Sequence, residues 1–289
     1  MIYSFLYVLF FSCSAVLIQK MYFNVSPLFS LLLAATIVTI FFNLVNLGKL
    51  KKIYANCWRQ KKECLGIMIT ILVMWNCAMT APGLIGASLT NFLVFAWLGT
   101  LGFFVSGMNN RINLYVSLFI ASLITFVIVT TLLQGYSTHK LAGIVIALIS
   151  GTSSYVYFKQ SQSLVSKIKL SSTQILAFRF YLTLVVLYIL LPQGSFSLYF
   201  NMKNLLEIIV LAVAGMIIPL YFQQKALEKI TSEQNAIIMS LTPVIISFLQ
   251  DIVFKDVDFR YLIIYLLYTC AISFPYVWKS IINAKKELI

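Results

Sequence analysis

The sequence predicts an all-α integral membrane protein: ten transmembrane helices arranged as two inverted five-helix repeats. Three observations carry that expectation. Hydrophobic residues make up 61% of the 289 residues and charged residues only 10%, whereas about a quarter of a soluble domain is charged. The apolar residues fall into runs of roughly 17 to 25, the length a helix needs to cross a hydrocarbon core of about 30 Å. The basic residues collect between those runs, and mostly on one side.

Read from charge to charge, the runs predict helices at 2–19, 27–47, 65–80, 87–108, 113–133, 141–159, 171–191, 205–224, 233–254 and 259–278. The first, MIYSFLYVLFFSCSAVLIQK, imitates a signal peptide but lacks a basic leader. Phe10, Phe11 and Ser12 before Cys13 fit a lipoprotein cleavage site poorly, so it reads as a retained first helix. With the amino terminus inside, fifteen basic residues lie in the inner segments (Lys49, Lys51, Lys52, Arg59, Lys61 and Lys62 among them) and five lie outside. That excess predicts cytoplasmic amino and carboxyl termini in a bacterial inner membrane. It also accounts for the formal charge of +13 without invoking nucleic acid.

The most basic stretch, KLKKIYANCWRQKK within 48–63, reads as a loop anchored at the anionic inner leaflet. Cys13, Cys57, Cys64, Cys77 and Cys270 are odd in number and contain no C-x-x-C pair. Neither a disulfide framework nor a zinc site is implied, and no cofactor is expected.

The two halves echo each other. A shift of 145 places Ala226 on Ala81, Ser232 on Ala87 and Asn235 on Thr90. A shift of 146 superposes SSTQILAF on VSPLFSLL, and a shift of 139 puts SSYVYFK on SAVLIQK. Three places agree with one order of elements. Five helices are an odd number, so the second copy enters from the opposite side, and 1–138 and 139–289 form inverted repeats. Such repeats build a site near the bilayer midplane that opens alternately to either face, which points to a transporter.

Ten helices in two five-helix repeats, the junction YFQQKALEKITSEQNAIIMSLTPVIISFLQDIVFKD and the AFR of 177–179 together resemble the drug/metabolite transporter superfamily, specifically its ten-helix EamA-type members. Ser232, Ala236, Pro243 and Asp256 match that family's ninth helix and the loop after it. Asp stands where the family commonly has Glu. The first copy departs, with Leu98 in the place of Pro243, Leu33 in that of Arg179 and Arg111 in that of Asp256. The resemblance implies a cavity enclosed by helices one, three, four, six, eight and nine.

Arg179, about two turns into the seventh helix, is either a snorkelling or interhelical side chain or a contact for an anionic group. Asp251 is the one carboxylate well inside a run and His139 the sole histidine, so no proton relay is apparent. Trp75 and Asn76 align with Leu220 and Tyr221, which follow Pro219; Gln223 and Gln224 come next. Asn91 and Trp97 lie in the fourth helix, Tyr155 and Tyr157 in the sixth. A pocket in lipid needs aromatic walls and a few orienting polar groups. Trp75, Asn76, Asn91, Tyr155, Arg179, Tyr221 and Gln223 are the substrate-binding candidates. Belt positions for Trp and Tyr, and interhelical bonds for Asn and Gln, are the competing role. SGTSS at 150–154 permits close helix packing, and Gly99 and Gly102 are similar in kind.

A carrier for a small polar or amphipathic metabolite is the leading function. The Lys-over-Arg bias and the wealth of Ile, Phe, Tyr and Asn suggest an AT-rich genome, in keeping with uptake of a host metabolite such as S-adenosylmethionine. Compositional drift explains the bias equally well. Export of amino acids or toxic compounds is the alternative within this class, and a channel or scaffold is the alternative outside it. An enzyme would need convergent His or carboxylate groups, and the eight acidic residues are scattered. The partners implied are a small metabolite and the lipid bilayer; nothing requires an oligomer.

Overall fold

The computed structural model describes residues 2–108, 110–168, 170–192, 201–230, 232–255 and 259–287. Among them, ten helices are long and apolar enough to cross a membrane. Span one is Ile2–Tyr22, two Pro27–Val45, three Lys61–Ile85, four Ala87–Gly107 and five Arg111–Leu133. Span six is Thr138–Val165, seven Ser172–Leu190, eight Met202–Ala226, nine Ile237–Phe254 and ten Tyr261–Lys279. Every expected helix falls on one of these, in the expected order. Asp256 lies outside the described residues, as do the side chains of Ser232, Glu233 and Ala236.

Local chemistry sets the ends. Pro27 opens span two, where a missing N–H costs nothing. Gly86, at φ +82°, makes the one-residue turn between spans three and four. Asn110 caps span five by accepting from the Ile112 N–H at 3.1 Å.

Three spans depart from regular helices, two of them at the prolines where the sequence leads one to expect a weakened ladder, Pro219 and Pro243. Span seven breaks at Arg179 and Phe180 into Ser172–Phe178 and Tyr181–Leu190. The Asn43 amide takes the Ala177 carbonyl at 2.9 Å, a side chain inserted into the ladder of the kind that kinks helices. Span eight carries a π-helical stretch, Leu211–Ile217, just before Pro219. Proline has no N–H, so the carbonyls before it re-pair with wider spacing. Span nine continues a helix that begins at Ser232 but turns at Ser240 and Leu241, and its second part, Thr242–Phe254, has Pro243 in its first turn. Pro243 therefore starts a half-helix.

The basic segment expected as a loop folds instead as a surface helix, Leu50–Arg59, after a short 3₁₀ turn. Leu50, Ile53 and Cys57 share one face. Ile53 is fully buried, and the other two pack on the same apolar cluster.

Short connections make successive spans antiparallel, so their ends alternate between the face bearing the amino terminus and the opposite face. Span one packs on spans eight and nine, and span six packs on spans three and four. Spans four and five pair, and so do nine and ten. Exchanging each span for the one five places on converts each of these contacts into another. Contacts of two with seven, four with nine and five with ten map onto themselves. Spans two, three, seven and eight build most of one apolar cluster and spans four, five, nine and ten most of another, while one and six contribute to both.

On the amino-terminal face, span eight is tied to span seven. Glu228 accepts from the Ser172 backbone N–H at 2.9 Å, from the Ser172 hydroxyl, and from the Lys225 ammonium at 2.8 Å. Partial burial works to raise the Glu228 pKa, but the bonds from Lys225 and Ser172 outweigh it and hold the carboxyl below its ordinary range. A depressed carboxyl pKa contributes stability above the unfolded value, about 4.3, and loses it as pH falls through the folded one. The thermal midpoint of the unchanged protein is therefore expected to fall more steeply than that of Glu228→Gln as pH drops from about 4.3. Parallel pH profiles for the two proteins would remove Glu228 from the account. The Lys225 partner is near the surface, so the difference is small and shrinks with salt.

Candidate functional site

A central cavity of about 50 Å³ lies among spans one, three, four, six and eight. Span one lends Tyr7, Phe11, Ala15 and Ile18, spaced to share one helix face; span three lends Met74, Trp75, Ala78 and Pro82. Span four gives Thr90, Asn91, Val94 and Phe95; span six gives Ser150, Ser154 and Phe158; span eight gives Leu220 and Gln223. The walls are aromatic and aliphatic with a few uncharged polar groups. Among the described residues, no Asp, Glu, Lys or Arg lines them.

Two of those polar groups lack partners. The Trp75 indole N–H and the Thr90 hydroxyl are buried and make no hydrogen bond among the described residues. A buried unsatisfied donor costs about 1–3 kcal/mol. Both residues belong to the cavity wall. Asn91, by contrast, donates to the Ala87 carbonyl of its own helix at 2.8 Å.

Hydrogen bonds tie spans together at both ends of the cavity. At the amino-terminal face, the Ser4 hydroxyl donates to the Asn235 amide oxygen at 2.9 Å, a buried bond between span one and the helix that leads into span nine. At the opposite face, the first N–H groups of span four find two glutamines. Ala87 donates to Gln19 of span one at 2.7 Å, and Ser88 to Gln250 of span nine at 2.9 Å. These side chains take up helix-end donors that the helix itself leaves free.

Of the sequence candidates, Trp75, Asn91 and Gln223 line the cavity. Asn76, Tyr155, Tyr221 and Arg179 stand outside its lining. Asn76 is one position round from Trp75 and donates to Leu72 at 2.7 Å. The Tyr155 ring lies under the Lys159 ammonium at 4.9 Å. Tyr221 packs against Phe222, ring centres 5.9 Å apart, and against the first apolar cluster. Among the described residues, none of the lining comes from span nine, which the family resemblance had included; Ile246 of that span packs against Ala15, Val16 and Ala87.

Arg179 is fully buried and does not snorkel. Its Nη1 donates to the Tyr157 hydroxyl at 2.7 Å, and its guanidinium lies 4.8 Å from the centre of the Phe180 ring. Tyr157 donates onward to Gln224 at 3.1 Å, whose amide donates to Ser161 at 2.7 Å. Nε and Nη2 have no hydrogen-bond partner among the described residues. This network sits beside the cavity and runs through the same two spans, six and eight, that supply part of its wall.

Sequence reasoning did not select Tyr7, Phe11, Phe95, Phe158 or Thr90. Their signal was weak, because aromatic residues fill nearly every apolar run of this chain. The stripe of Tyr7, Phe11, Ala15 and Ile18 was visible only as ordinary helical spacing.

Residues 141–274 match the model of the EamA-like transporter family. A solved structure described as "Crystal structure of protein" is similar over 92% of this chain and 96% of its own, with a TM-score of 0.62 at 12% identity; at that identity the likeness concerns the fold alone. No curated protein sequence matches the chain significantly. Ten spans long and apolar enough to cross a membrane and an all-α architecture among the described residues make the chain an integral membrane protein, and its residues 141–274 are similar to the EamA-like transporter family.

Proposed function

We propose that the protein is a secondary carrier that moves a small polar or amphipathic metabolite across the bacterial inner membrane by alternating access. The cavity carries this reading: it is central, drawn from both halves of the chain, aromatic-walled, and holds two buried donors without partners. Its lining also pairs across the proposed repeats, 1–138 and 139–289. Trp75 with Leu220 and Ala78 with Gln223 are 145 positions apart; Phe11 with Ser150 and Ala15 with Ser154 are 139 apart. A site that sits on the relation between two halves is the one their relative rocking exposes to each side in turn.

The volume supports motion. About 50 Å³ holds a few waters, whereas pockets for metabolites run to about 300 Å³ or more. Loading therefore requires the helices to part, and the Ser4–Asn235 bond on one face and the Gln19 and Gln250 contacts on the other are the ties to be released alternately. Both termini and the surface helix are on the cytoplasmic side in this reading, from the excess of basic residues there.

Aromatic walls suit a planar ring or a delocalised cation, and Arg179 beside the cavity suits a carboxylate or phosphate approaching past Tyr157. S-adenosylmethionine, with an adenine, a sulfonium and a carboxylate, is the first compound to test for uptake, and amino acids are the first for export. The measurement is counterflow in proteoliposomes holding the purified protein. Saturable uptake stimulated by unlabelled substrate on the far side is expected; a linear flux that never saturates, with every candidate, would leave a channel.

A further inference from the structure

We propose that the groove between the surface helix and the first turns of span three is a binding site for an anionic glycerophospholipid. The groove has a volume of about 520 Å³, ten times that of the central cavity. Tyr54 and Trp58 form one side, and Lys61, Lys62, Leu65 and Met68 form the other. The inference does not depend on the transport reading.

Four observations point to that occupant. The surface helix is anchored through Leu50, Ile53 and Cys57, and by the Tyr54 hydroxyl, which donates to Asn43 Oδ1 at 2.6 Å, so Trp58 on its flank is the aromatic left uncovered, at 79% exposed. An indole in that place is the side chain favoured at the boundary between headgroups and acyl chains. Lys61 and Lys62 are both exposed, and neither makes an ion pair among the described residues. They stand at the start of a membrane span, at the depth of a phosphate. From them Leu65 and Met68 continue down span three at spacings of four and six or seven residues, with Leu65 half exposed, so the groove is charged at its mouth and apolar below. That order matches a phosphodiester followed by an acyl chain.

Charge complementarity selects an anionic over a zwitterionic lipid. Six basic residues and one acidic residue lie within 49–63. Lys52 and Arg59, both exposed, fall on the helix face turned away from Tyr54 and Trp58, where they strengthen the general attraction to an anionic leaflet without lining the groove. The two lysines in the groove are the specific element.

Trp58 itself reports occupancy. The full-length protein is reconstituted with brominated phosphatidylglycerol or brominated phosphatidylcholine, and quenching of Trp58 is isolated by difference against Trp58→Phe. Phosphatidylglycerol is expected to associate about tenfold more strongly, given the attraction expected of two lysines near the surface. Lys61→Gln with Lys62→Gln should bring that ratio near one, while Lys52→Gln with Arg59→Gln should leave it standing. Equal quenching by the two lipids in the unchanged protein overturns the proposal, and so does an equal loss from both double variants, which would make the attraction diffuse. Native mass spectrometry of the unchanged protein gives a second measurement should a variant fail to fold. Retained phosphatidylglycerol in preference to phosphatidylcholine supports the site, and retention of neither or of both alike overturns it.

Discussion

Arg179→Met is expected to leave the protein folded, with a thermal midpoint equal to or above that of the unchanged chain, and to cut counterflow about tenfold or more. The first half of that expectation comes from the cost of the charge. Arg179 is fully buried, its Nε and Nη2 have no hydrogen-bond partner, and no carboxylate pairs with it among the described residues. Replacing buried ionic groups by apolar ones of similar volume is often neutral or stabilising by about 1–4 kcal/mol. Tyr157 is not orphaned by the change, since its hydroxyl still donates to Gln224. The second half comes from what the charge would do. A hydrogen bond to a charged group contributes about 1.5–3 kcal/mol, which is roughly tenfold to a hundredfold in a rate. Arg179→Lys separates charge from shape, because an ammonium cannot form the planar two-point contact of a guanidinium. It should keep the midpoint and lose most of the transport. Wild-type counterflow in Arg179→Lys, with unfolding of Arg179→Met, would assign Arg179 to the scaffold instead.

Gly151→Ala is expected to destabilise the protein by about 1–3 kcal/mol, the usual cost of overpacking, and to abolish counterflow in whatever fraction folds. A Cβ at Gly151 would stand 2.7 Å from the Val94 carbonyl oxygen and 3.2 Å from Trp97 Cβ. The nearer atom belongs to the backbone of span four, so no side chain can swing aside and the whole helix has to shift. Span six is held there at close range: Ser150 bonds Met74 of span three at 3.3 Å, and Thr152 accepts from the Trp97 indole at 2.8 Å. Pushing span six outward moves Ser150 and Ser154, both in the cavity wall. Gly102, where a Cβ meets nothing within 4 Å, is the control; Gly102→Ala should be close to neutral. Similar midpoints for Gly151→Ala and Gly102→Ala, from thermal unfolding in detergent, would show that spans four and six have slack.

The spans were legible because the bilayer imposes one length and one polarity on all of them. Their irregularities were legible only where proline caused them. Pro243 marked the turn in span nine and Pro219 the π-helical stretch of span eight, but the kink in span seven comes from Asn43, distant in sequence, and nothing near Ala177 announces it. The surface helix was missed for a related reason. Its basic residues dominate the composition of 48–63, while the apolar residues that anchor it, Leu50, Ile53 and Cys57, are few and spaced at helical intervals.

For the cavity, Trp75, Asn91 and Gln223 stood out because a large ring or an amide is unusual deep in an apolar run. Asn76 was equally unusual and points elsewhere, because a position one residue on is turned about 100° round the helix. The aromatic lining from span one could not be separated by type from the 39 Phe and Tyr residues of the chain.

The exchange of each span for the one five places on would have a consequence for the idle protein under the proposed alternating-access cycle. If the halves trade conformations in each cycle, identical halves would make the two open forms mirror one another in energy, and the empty protein would divide its time equally between them. The sequences are not identical: Pro243 stands opposite Leu98, and Arg179 opposite Leu33. Those differences act as weights on a balance, and about 1.4 kcal/mol of net difference turns equal occupancy into ten to one. The residues that break the likeness between the halves would then set the side on which the protein waits.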